Sequence, residues 1–353
     1  MGLPNIEIKF KTQAASAISR SQKGAVSIII RDGSNNGHHV LTGTHQIPSD
    51  LSVENKNYIA RTFIGYINPP RKVILYVLPE DGIITDALSF LETQLYDYLV
   101  GPPDVDTEEC NHIANFVKKQ RQDGNTPKAV LPNTASDTEA VVNFTTTKIK
   151  VGNIEYDTAQ YCSRIAGLIA GTPMTISCTN AVLPEVIDVE RLNKEEADVA
   201  IDEGQFILFH DGEKVKVGRG VNSLVTTTQE KGEQFKKIKI VEAIDMIKSD
   251  IKKTAQDNYI GKYSNSYDNK CLLISAIKGY FISLELDGIL ERYTSAVEFD
   301  LGALESYLLD RGVNTESMDE MQIKTATTGD EVFLTARISI LDAIEEIKLN
   351  ITV

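Results

Sequence analysis

The chain has 353 residues, 42% hydrophobic and 24% charged, enough for two or three domains that each bury a core. It has no run of about 18 apolar residues and no apolar stretch behind a basic start. The expectation is therefore a protein made and kept in the cytoplasm unless exported by another route. A net charge of -14 argues against a grip on phosphate backbones, and Cys110, Cys162, Cys178 and Cys271, with no C-x-x-C pair, predict buried free thiols.

The first element is "PNIEIKFK" (4–11). Ile6, Ile8 and Phe10 share one face of this alternating stretch, as in a half-buried strand. The small, polar "TQAASAISRSQKG" that follows reads as a linker or hinge over residues 12–24. "AVSIIIRDG" is a buried strand stopped at Asp32-Gly33, and "RKVILYVLP" (71–79) is another. Between them Ser52 caps a short helix with Glu54 in its first turn. Leu88, Leu91, Leu95 and Leu99 recur at threes and fours, which predicts an amphipathic helix over 86–100. A second helix covers 108–124 and a short strand 127–132. Strand and helix alternate here, so the unit is α/β with partly parallel strands.

"DTAQYCSRIAGLIAGTP" (157–173) predicts one helix, capped by Asp157 and stopped at Gly171 and Pro173. Its Ala-Gly pairs recur at four and permit a close backbone approach. "GQFILFHDGEKVKVGRG" (204–220) places Asp211-Gly212 between two strands, the preferred dipeptide of a two-residue hairpin turn. Residues 235–257 predict a long helix with Val241, Ile244, Ile247 and Ile251 on its apolar face. Further helices are expected over 268–288, capped by Asp268, and 300–312, capped by Asp300. Residues 318–341 read as strands. After the five residues "DAIEE" comes "IKLNITV", in which Ile347, Leu349, Ile351 and Val353 alternate with polar residues. This is a second terminal strand in need of a partner.

The residues offer little chemistry. No G-x-x-x-x-G-K-[ST], H-E-x-x-H or G-x-S-x-G is present. "GRGVNS" (218–223) resembles a phosphate loop only superficially, because no helix follows it; a structural turn is expected. His38, His39 and His45 read as a solvated loop, since adjacent strand histidines face opposite ways. Glu242, Asp245 and Asp250 read as helix-surface partners of nearby lysines. Lys248, Lys252 and Lys253 form either a solvated face or a docking face for an acidic partner.

Four stretches together resemble sheath proteins of contractile phage tails, most closely the short sheaths of Gram-positive defective prophages and R-type bacteriocins. They are residues 2–32, "RIAGLIAGTPMTISCTNAVLPEV" (164–186), "KVKVGRGVNSLVTTT" with "FKKIKIVEAIDMIKSDI" (214–251), and "DAIEEIKLNITV" (342–353). The resemblance implies a mixed α/β (α+β), multi-layer sheath-subunit fold with extended N- and C-terminal strand arms, and no enzyme activity or cofactor. It implies an arm and hinge at 1–24, an outer β-rich region at 25–100, and an α/β region at 101–230. An inner, tube-facing domain at 231–341 and a hinge and arm at 342–353 complete the chain. The implied partners are further copies in a stack of hexameric rings, the inner tail tube, and baseplate and tail-terminator proteins. Neither nucleic acid nor membrane is contacted, and the chain leaves the bacterial cytoplasm as part of a released particle.

The resemblance maps Ile6, Ile8 and Phe10, with Ile347, Leu349, Ile351 and Val353, onto arms that add strands to neighbouring subunits. Burying four aliphatic side chains stabilises such a link by roughly 6–12 kcal/mol before ordering costs. Lys248, Lys252 and Lys253 are candidates for the tube face. The alternative is a cytoplasmic α/β enzyme or small-ligand-binding protein whose terminal strands pair within the chain.

Overall fold

The computed structural model describes residues 17, 18, 20 and 23–352. It separates into two compact units, one drawn from 22–247 and 342–353 and the other from 248–341.

The first unit opens with β1 (Ala25–Arg31), β2 (Gly37–Leu41), α1 (Val53–Thr62), β3 (Lys72–Leu78), α2 (Ile84–Leu91) and β4 (Tyr98–Val100). It continues through α3 (Thr107–Gln122), β5 (Lys128–Pro132), β6 (Val141–Phe144), β7 (Ile149–Val151), β8 (Ile154–Tyr156) and α4 (Thr158–Ala170). Then come α5 (Lys194–Asp202), β9 (Gln205–Phe206), β10 (Leu208–His210), β11 (Val215–Val217) and α6 (Ile238–Thr254), whose last residues belong to the second unit.

Seven strands form one sheet in the order β2-β3-β1-β4-β5-β6-β9. Only β2 runs antiparallel to its neighbour; the other pairs are parallel. A parallel sheet is covered on both faces and its strands read as continuous apolar runs, which is why "AVSIIIR" lacks alternation. Val26, Ile28 and Ile30 of β1 share a core with Tyr58 of α1 and Ile165 and Leu168 of α4. Ile29 faces the other way, toward Leu88 of α2 and Ile113 and Val117 of α3. The sheet spans residues 25–206, so the division expected at residue 100 falls inside it.

Local signals were legible where a cap or stop is chemical. The Ser52 hydroxyl accepts from Asn55 N, and Asp157 and Gln160 form a reciprocal capping box. The Ala-Gly pairs of α4 do bring backbones together. A Cβ on Gly167 would stand 2.0 Å from the Thr62 carbonyl oxygen, and one on Gly171 would stand 2.0 Å from that of Asn68.

Several expectations are corrected. The helix over 86–100 is α2 alone, ending at Leu91. Leu95 is 81% exposed, and Leu99 lies in β4. His38 and His39 lie on strand β2 rather than in a loop, with His38 stacked on Phe90 at 4.7 Å. The hairpin turn is Asp211–Lys214. Within it only Gly212 takes positive φ, while the Asp211 carboxylate accepts from the Glu213 and Lys214 amides.

The second unit contains α7 (Tyr267–Leu286), β12 (Ala296–Phe299), α8 (Leu301–Asp310), α9 (Glu320–Thr325) and β13 (Leu334–Arg337). Ser266, not Asp268, caps α7; Asp300 caps α8 as expected. The stretch read as strands at 318–341 begins instead with helix α9, started by an Asp319–Gln322 capping box. β12 and β13 pair antiparallel as a two-stranded sheet. Phe299, Leu304, Leu308 and Ile323 form the core beside them. No helix among the described residues is long and apolar enough to cross a membrane.

Candidate assembly interface

The C-terminal segment is the candidate site, and its geometry follows from alternation. Ile347, Leu349 and Ile351 are 84%, 74% and 76% exposed, and residues 342–352 join no strand. Alternating aliphatic side chains left in water in this way match the period of one face of a strand. Val353 and the N-terminal row of Ile6, Ile8 and Phe10 lie outside the described residues.

The root of this segment is held. The Glu345 side chain is only 8% exposed. Its Oε1 accepts from the Thr179 hydroxyl at 2.6 Å and lies 3.0 Å from Ser177 Oγ. Its Oε2 accepts from Arg219 Nε at 3.0 Å, with Lys237 Nζ at 3.9 Å. A second Arg219 nitrogen reaches Glu346 at 3.0 Å, and Lys237 also pairs with Asp342. Bonding to Glu346 and Glu345 outweighs burial and raises the Arg219 pKa. The "GRGVNS" turn is structural, as expected, but its arginine grips a carboxylate of its own chain. Sequence reasoning missed this pairing because the partners lie 126 residues apart. The available signal was a lone arginine between two glycines, opposite an acidic pair.

The three lysines sit at the end of α6, and all are exposed. The acids of that helix do not lie on its surface, contrary to expectation. Asp245 is 1% exposed and bonds Lys128 at 2.9 Å and Arg121 at 2.8 Å; Asp250 is buried and accepts from the Tyr280 hydroxyl at 2.6 Å. Glu242 pairs with Lys128 at 2.9 Å. α6 turns Glu242 and Asp245 inward onto two cations, Arg121 of α3 and Lys128 of β5.

In sheets of this kind ligands bind beyond the strand ends where the order reverses, here between β1 and β4. At that place Arg31 pairs with Asp104 at 3.2 Å and with Glu109, and the Asp32 carboxylate accepts from Ser34, Ser52 and Asn55, so these charges are spent on the fold. The described residues contain no cluster of three metal-ligating side chains. Cys110, Cys162 and Cys178 are buried free thiols and Cys271 is half-buried. Burial pushes the Cys110 thiol up to about 11 and that of Cys178 up to about 12, so neither is a ready nucleophile.

Two family models match the chain: the phage tail sheath protein central domain over residues 80–223, and the phage tail sheath C-terminal domain over 230–353. The chain is also 38% identical over 356 residues to the tail sheath protein of Clostridium phage phiCD119, an alignment covering 99% of each. The chain belongs to the phage tail sheath family. It is a structural sheath protein of a phage tail or related contractile particle, and not an enzyme. The mixed α/β fold is shared with solved sheaths. The helical sheath of the anti-feeding prophage in its contracted state superposes with a TM-score of 0.73 at 16% identity, covering 100% of this chain and 99% of that one. The sheath tail protein of Desulfitobacterium hafniense gives 0.70 at 17% identity, over 84% and 94%. The central-domain match contains Ser177, Thr179 and Arg219. The C-terminal match contains the α6 lysines and the exposed aliphatic row.

Proposed function

We propose that this sheath protein polymerises as a helical stack of hexameric rings around an inner tail tube, and that contraction of the stack drives the tube through a cell envelope. The observation that carries this reading is the exposed row Ile347, Leu349 and Ile351, an alternating segment without a strand partner among the described residues. Strand addition to a second copy gives such a row both its backbone hydrogen bonds and its cover. The β12–β13 pair is a suitable acceptor. A two-stranded sheet is marginal on its own, and among the described residues no third strand covers either edge. Burying the three aliphatic side chains stabilises each link by about 5–9 kcal/mol before ordering costs. The row of Ile6, Ile8 and Phe10 acts likewise at the other arm.

In this reading residues 231–341 are the inner domain, which includes the compact unit 248–341, and Lys248, Lys252 and Lys253 face the tube. Baseplate and terminator proteins close the two ends of the stack. Assembly takes place in the bacterial cytoplasm before the particle is released, with no cofactor and no bound nucleic acid. The test is deletion of residues 347–353. The truncated chain is expected to keep its melting temperature and to form no tubes in negative-stain electron microscopy. Normal sheaths from the truncated chain would end the arm hypothesis.

A further inference from the structure

Immediately before the exposed aliphatic row, the chain is fastened to the first unit at a polar socket. Ser177 and Thr179 come from the loop after α4, Arg219 from the turn after β11, and Lys237 from the residue before α6. The socket also has bonds of its own that do not involve Glu345. Thr179 Oγ1 accepts from Gly220 N at 2.9 Å, and Thr179 N donates to Ser177 Oγ at 3.1 Å. Gly220 leaves the necessary room, since a Cβ there would stand 2.9 Å from Cys178 Sγ and 3.1 Å from Ser177 Oγ. Residues 342–346 therefore hold acidic groups at three points, Asp342, Glu345 and Glu346, each paired with a cation of the first unit.

We propose that this socket is a carboxylate-binding site whose ligand is the chain's own Glu345. It transfers tension on the C-terminal arm directly to the first unit, sparing the covalent path through residues 248–341. The inference rests on the reading of residues 347–353 as an inter-subunit link. The flexible point of the arm is then the Glu346-Ile347 junction, not the whole stretch 342–346. Charge-assisted bonds at a mostly buried carboxylate are the strong class. Several acting at one residue hold a chain end that backbone pairing alone would leave free to fray.

The test uses the full-length chain with Arg219→Ala and, separately, Glu345→Gln, which keeps side-chain size but removes the charge. Limited proteolysis of the unassembled subunit with a protease of broad specificity reads the socket by itself. Cleavage within residues 342–347 is expected to speed up roughly tenfold or more in both variants, with the segments of β1 and β3 uncut as before. Electron microscopy then reads the mechanical role. Variant sheaths are expected either to break into fragments on contraction or to fail to form. Unchanged cleavage at 342–347 in both variants would overturn the socket. Faster cleavage with intact contracted sheaths would overturn the transfer of tension. If deletion of residues 347–353 still left normal tubes, the arm reading would fail, while the proteolysis result would stand on its own.

Discussion

Lys128 is 2% exposed, which a cation tolerates only with partners. Burial works against its ammonium, yet Asp245 and Glu242 outweigh that cost and raise its pKa. Burial likewise opposes the Asp245 carboxylate, and Lys128 and Arg121 reverse the effect, holding its pKa below the ordinary value of 3.8. Asp245→Ala leaves these cations short of a partner and should cost about 3–5 kcal/mol at pH 7 in urea unfolding. The sign of the pH effect follows from the depressed folded pKa. The carboxylate's contribution is complete above the unfolded pKa and lost as pH falls through the folded one. The gap between native and variant should therefore narrow below about pH 4; a constant gap from pH 8 to 3 would exclude Asp245 as its source. None of this was legible in the sequence. "VEAIDMIKSD" looks like a charged helix surface, and its cationic partners are 117 and 124 residues away.

At the scale of elements, α1 and α4 share side-chain packing, but at Gly167 they meet main chain to main chain. A side chain at Gly167 must push the Thr62 carbonyl away, because neither backbone has a rotamer to change. Gly167→Ala, helpful to an isolated helix, should instead destabilise the protein by about 1–3 kcal/mol, seen as a lower melting temperature. A rise would show that α1 moves aside freely. The sequence anticipated this approach from small residues spaced at four, just as capping chemistry placed the starts of α1, α4 and α8. It failed between residues 91 and 100. Leucines spaced by threes and fours fit a continuous helix, but Tyr98, Leu99 and Val100 also fit a short strand buried between β1 and β5. Only tertiary pairing, with Asp97 N donating to Ala25 O at 2.8 Å, decides between them. The exposed aliphatic row was legible because alternation survives without a partner. Its socket was not, because Ser177, Thr179, Arg219 and Lys237 meet only in the fold.

For the whole molecule, a net charge of -14 makes three exposed lysines at one helix end conspicuous. Favourable placement at a helix C-terminus explains part of this, since cations there complement the helix dipole. The tube-facing role goes further and makes a separable claim. Lys248→Glu combined with Lys252→Glu should leave the melting temperature within a few degrees, as expected for surface substitutions. It should weaken co-assembly with the tube, with a loss that shrinks as salt screens both forms. Unchanged co-assembly would remove these lysines from the interface. The first unit has its own mechanical character. Where Gly167 and Gly171 meet the carbonyls of Thr62 and Asn68, main chain rests on main chain, with no side chain between them to serve as a cushion. Neither point has a rotamer to yield, so there the chain has no slack to take up.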